Sequence, residues 1–60
     1  MSIKETTKKA AIAARDVLNM GCSVKASNEV FNEIAGFYLN HSGKRDFIKL
    51  LNFYADPDKQ

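Results

Sequence analysis

Apolar residues recur along this chain at spacings of three and four, the period of a helix that buries one face. Ile3, Thr7, Ala10, Ala14, Val17 and Leu18 share one side of a 3.6-residue wheel, with Ala11 at its edge. Lys4, Lys8, Lys9, Arg15 and Asp16 fall elsewhere. The pattern predicts a helix over 3–20. Ser2, with Glu5 three residues on, has capping-box spacing, and Gly21 is placed to end the helix. Alanine dominates the apolar face, so another helix can approach it closely.

A second periodic segment predicts a helix over 28–42, capped by Ser27. Val30, Phe31, Ile34, Ala35, Phe37, Tyr38, Leu39 and His41 sweep half its wheel or more. An arc that wide requires cover on two sides, which places this helix between the other two. Ser42-Gly43 makes the next break. Phe47, Leu50, Leu51 and Tyr54 then follow the i, i+3, i+4, i+7 rule, and Ile48 widens the stripe. This predicts a third helix over 44–55, stopped by Asp56-Pro57 because a residue before proline disfavours the α region.

No segment alternates apolar and polar residues over a strand's length. The expected fold is all-α: a compact three-helix unit over 1–55 with short connections and a frayed tail over 56–60. All six aromatic residues lie in the second half of the chain. The densest packing is therefore expected between the second and third helices.

Length adds a constraint. A chain of 60 residues buries only about 60% of its unfolded surface. Its core supplies about 3–5 kcal/mol of net stability unless something assists it. One cysteine, Cys22, excludes an internal disulfide, and one histidine leaves no Cys/His zinc cluster. Self-association or a partner chain remains as the assistant. The composition, 45% apolar and 27% charged, is that of a globular chain. The net charge of +2 permits contact with nucleic acid or an acidic protein without demanding it. No targeting segment or transmembrane run is visible, and a lone cysteine fits a reducing compartment, so the expected location is cytoplasmic.

Candidate chemistry is sparse. Ser42-Gly43-Lys44 suggests phosphate binding, but Gly36 and Gly43 have six residues between them where a P-loop has four, and Arg45 follows the lysine. A helix–helix turn explains it better. His41 is the one candidate base near neutral pH, and nothing in the sequence places a nucleophile beside it. Cys22 reads as a small hydrophobe in a linker. Glu29 and Glu33 form an i, i+4 pair too small for a calcium site. Gly21 and Gly43 both fail as the turn glycine of a helix-turn-helix. No catalytic residue, metal ligand, cofactor or small-molecule substrate is expected.

The informative residues are apolar ones in polar company. Ile12 sits among Lys8, Arg15, Asp16 and Asn19, and Phe53 is spaced with Lys49 and Arg45 as a basic-aromatic ridge. Aromatic and arginine side chains together are a common kind of interface hot spot. The expectation is a non-catalytic helical interaction protein, a regulator or adaptor that binds a protein partner or itself. Ile12, Arg15, Arg45, Lys49 and Phe53 are its contact residues. Proteins of this size are often encoded by phages or bacterial accessory genes. The competing reading is a nucleic-acid-binding protein that uses a basic face, Lys4, Lys8, Lys9 and Arg15 or Lys44, Arg45 and Lys49.

Overall fold

In the computed structural model, which describes residues 3–56, the chain forms α1 (Ile3–Asn19), α2 (Val24–Ala35) and α3 (Lys44–Ala55). The capping role of Ser2 and the tail over 57–60 lie outside the described residues. No strand occurs among the described residues, and the all-α three-helix expectation stands.

The first helix ends where its glycine predicts. Cys22 N–H donates to the Val17 carbonyl at 3.2 Å and Gly21 N–H to the Leu18 carbonyl at 3.0 Å. Gly21 has φ +90°. These are the two reversed bonds and the left-handed residue of a Schellman turn.

The second helix corrects the sequence reading: it runs Val24–Ala35, not 28–42. Ser23, not Ser27, is its N-cap, extended at φ −71° and ψ 161°, with its side chain accepting from Ala26 N–H at 3.1 Å. Its end is set by Gly36, which adopts φ +85° and donates its N–H to the Asn32 carbonyl at 2.8 Å. The apolar periodicity continues past Gly36, but the backbone does not. Phe37, Tyr38, Leu39 and His41 therefore belong to the connection 36–43 rather than to a helix face.

A Cβ added at Gly36 would meet nothing within 4 Å, so a side chain there costs only its backbone strain. Gly36→Ala should destabilise by about 1 kcal/mol, and Gly36→Asn by less, because asparagine tolerates the left-handed region. Urea titration of the two variants checks the order.

The third helix matches its expected bounds. Gly43 is its N-cap and makes no side-chain capping bond. Asp46, in the first turn, compensates: its carboxylate accepts from Ser42 N–H at 2.9 Å. An acidic group there also suits the helix dipole.

Packing reverses the expected order of the layers. The first helix is the central one, in close contact with both α2 and α3, while α2 and α3 approach each other much less. Ala10, Ala11 and Ala14 are fully buried, and their small side chains admit two neighbours at once. The second helix is therefore not the middle element, and the α2–α3 pair is not the densest contact. Phe31 from α2, Leu39 from the connection, and Phe47, Leu51 and Ala55 from α3 complete the core.

Two buried polar side chains pin the layers together. Ser27, expected as a cap, instead donates its hydroxyl to the Ala14 carbonyl of α1 at 2.6 Å. Asn28 bridges to the connection: its Nδ2 donates to the Leu39 carbonyl at 2.8 Å, and its Oδ1 accepts Leu39 N–H at 3.2 Å.

Candidate interaction surface

Each of the five expected contact residues is exposed. Ile12 and Phe53 keep 43% and 41% of their surface, and Arg15, Arg45 and Lys49 are open to solvent as well. On α3, Phe47, Leu51 and Ala55 face the core. One-turn spacing puts Arg45, Lys49 and Phe53 on the opposite side as a continuous ridge. Ile12 and Arg15 lie three residues apart on the outer side of α1. The two groups are not one patch by helix position alone.

A cleft joins the two helices. Arg15, Leu18 and Asn19 of α1 face Ile48, Leu51 and Asn52 of α3 across a space of about 270 Å³. Its lining combines three aliphatic side chains with one guanidinium and two carboxamides. Arg15 thus shares a cleft with Ile48 and Asn52 of α3, while Phe53 lies on another side of that helix.

Phe53 belongs to an aromatic cluster that sequence reasoning missed. Its ring meets Tyr54 edge-on at 5.2 Å. Tyr54 stands 5.9 Å from Phe31 and 6.3 Å from Phe37, and Phe31 and Phe37 meet edge-on at 5.3 Å. Such contacts add about 0.5–1.5 kcal/mol each beyond area burial. Phe31 is the buried hub, while Phe37 and Phe53 remain about two-fifths exposed at the margins. Tyr38 and Ile34 add exposed apolar surface near the end of α2. The signal that could have located the cluster was Gly36: a helix stopped there frees Phe37 to fold back over Phe31.

His41 packs its ring 4.9 Å from that of Phe47, and its Nδ1 is buried without a hydrogen-bond partner. It stands in the connection, not on a helix as expected. Cys22 is free and exposed in the first turn. Among the described residues no group of three or more His, Cys, Asp or Glu gathers to hold a metal ion. Nor is any helix among them long and apolar enough to cross a membrane.

No protein-family model, curated protein or solved structure matches the chain.

Proposed function

We propose that the chain is a non-catalytic helical interaction protein, a regulator or adaptor working in the cytoplasm. Its contact surface is built on the α3 ridge of Arg45, Lys49 and Phe53 and flanked by Ile12 and Arg15 of α1. The observation that supports this most is exposed apolar surface. Among the described residues, seven large hydrophobic side chains are at least 36% exposed. Of these, Phe37 and Phe53 flank Tyr54, so part of the exposed apolar surface is clustered rather than scattered. On the ridge, an aromatic ring with cationic neighbours supplies the chemistry of an interface anchor.

The test is capture of binding partners by the tagged chain from a lysate, with and without nuclease. A stoichiometric protein that survives nuclease and is lost at least tenfold with Phe53→Ala supports the reading. Phe53 is two-fifths exposed, so its truncation should leave the fold intact, which circular dichroism checks. A second reading, nucleic-acid binding, draws on the exposed cations Arg15, Arg45 and Lys49. It predicts capture that disappears with nuclease and an affinity that falls steeply with salt.

A further inference from the structure

The cleft between α1 and α3 gathers polar side chains that the fold itself does not use. Arg15 and Asn19 stand one turn apart on α1, facing Ile48 and Asn52, one turn apart on α3. Among the described residues, no hydrogen bond or ion pair engages the side chain of Arg15, Asn19 or Asn52. Buried Ser27 and Asn28, by contrast, are both engaged. No described carboxylate lines the cleft, although Asp16 follows Arg15 in the sequence. Of the lining, Leu51 is fully buried and Leu18 partly, while the three polar side chains are exposed. The space of about 270 Å³ thus offers hydrocarbon together with unpaired donors that stand nearer to solvent than Leu51 does.

We propose that this cleft takes the C-terminal carboxylate of a partner polypeptide whose last residue is aliphatic. The inference rests on the interaction-protein reading and names the part of the partner that is read.

Charge, hydrocarbon, hydrogen bonding and size each narrow the occupant. One guanidinium with no anion beside it matches a single negative charge, and its planar fork suits a carboxylate bidentately. A phosphate dianion would leave one charge unmatched and bring no hydrocarbon for Leu18, Ile48 and Leu51. Each carboxamide has a donor and an acceptor end. A carboxylate uses only the donors. The acceptor ends suit the peptide N–H just before the carboxylate, a group that a free aliphatic acid lacks. The volume lies just under the ~300–1,000 Å³ of ordinary small-molecule sites, so it holds a last side chain and its carboxylate rather than a helix.

The end of α1 is the one feature that could oppose an anion, since a helix C-terminus is negative. Here that end is capped. The carbonyls of Asp16, Val17 and Leu18 already accept from Met20, Cys22 and Gly21.

Titration of acetyl-glycyl-leucine into the isotopically labelled chain, followed by NMR, tests the proposal. The Arg15 guanidinium and the Asn19 and Asn52 carboxamide signals should shift saturably, with a dissociation constant on the order of 1 mM. Arg15→Gln should weaken binding about tenfold or more, and so should replacing the probe's carboxylate by an amide. Lys25→Gln removes the same charge from α2, outside the cleft, and should bind like wild type. Isocaproate, the same hydrocarbon body without the peptide group, should bind more weakly than the peptide.

An absence of saturable shifts overturns the site. An amide probe that binds as tightly as the acid overturns the carboxylate, and does so on the wild-type chain whatever happens to the fold of Arg15→Gln. Isocaproate binding as tightly as the peptide overturns a polypeptide end as the occupant. Separately, a nuclease-sensitive capture from lysate would overturn the underlying protein-interaction reading, whatever the titration shows.

Discussion

Phe31→Ala should leave the chain without a cooperative unfolding transition at room temperature. Phe31 is fully buried and contacts two other rings, Phe37 at 5.3 Å and Tyr54 at 5.9 Å. Truncating a buried phenylalanine costs about 3–5 kcal/mol through lost transfer energy and the cavity left behind. A single-core chain of this length holds about 3–5 kcal/mol in all. The two quantities are equal, so the variant should be largely unfolded. The loss is also architectural. Phe31 is where α2 and α3, which otherwise touch little, are joined through rings. Phe37→Ala is the comparison, since Phe37 is 41% exposed and should cost roughly half as much or less. Thermal melts followed by circular dichroism separate the two. A sharp transition for Phe31→Ala within about 5 °C of wild type would show that the core is carried elsewhere.

The residues that were legible in the sequence and those that were not divide on a physical line. The first and third helices were readable because periodicity and breakers agreed: Gly21 stopped one, and Gly43 and Asp56 bracketed the other. The second was misplaced because two signals competed. Apolar residues recur with helical period straight through Gly36, and periodicity was given more weight than a glycine inside it. The backbone followed the glycine, since Gly36 satisfies the Asn32 carbonyl in a conformation other residues reach only with strain. Ser23 and Ser27 posed the same problem four residues apart. Both are acceptable caps, and only the tertiary contact of Ser27 with Ala14 decides between them.

The layer order was hidden for a related reason. A wide apolar arc on the second segment suggested the central helix, but half of that arc belonged to the connection. The alanine stripe of α1 looked weakly hydrophobic by side-chain volume, yet it is what allows two helices to lie close to one backbone. Exposure was easier to read than packing. Ile12 and Phe53 stood out as apolar among polar neighbours, and exposure follows directly from helix phase once α1 and α3 are correctly bounded. The aromatic cluster around Phe53 did not stand out, because it is assembled from α2, the connection and α3 rather than from one periodic stripe.

Asn28 shows how much a buried polar side chain can carry in so small a core, and Asn28→Asp should convert that into a pH dependence. Asn28 is fully buried and uses both ends of its amide on one residue, donating to the Leu39 carbonyl and accepting its N–H. Leu39 is the buried point of the 36–43 connection, so this pair sets the path of the chain between α2 and α3. An ionised aspartate keeps the acceptor but loses the donor. It then presents a second anionic oxygen to the Leu39 carbonyl, which repels it. An unpaired charge buried in this way costs about 3–5 kcal/mol, comparable with the whole stability of the domain. Protonation removes the charge and restores a donor, since a carboxylic acid can give its hydrogen to the Leu39 carbonyl. The folded state therefore holds the proton more tightly than the unfolded chain, whose carboxyl titrates near about 3.9. The native form binds more protons, so the variant loses stability as pH rises from that value. At pH 3 it should melt close to wild type measured at the same pH, and at pH 7 it should be largely unfolded. Asn28→Ala leaves both Leu39 groups unpartnered at every pH, and its deficit against wild type should stay constant. Parallel melts of the three chains at pH 3 and pH 7 decide the matter. A deficit for Asn28→Asp that does not shrink in acid would mean that Leu39 does not depend on this bridge.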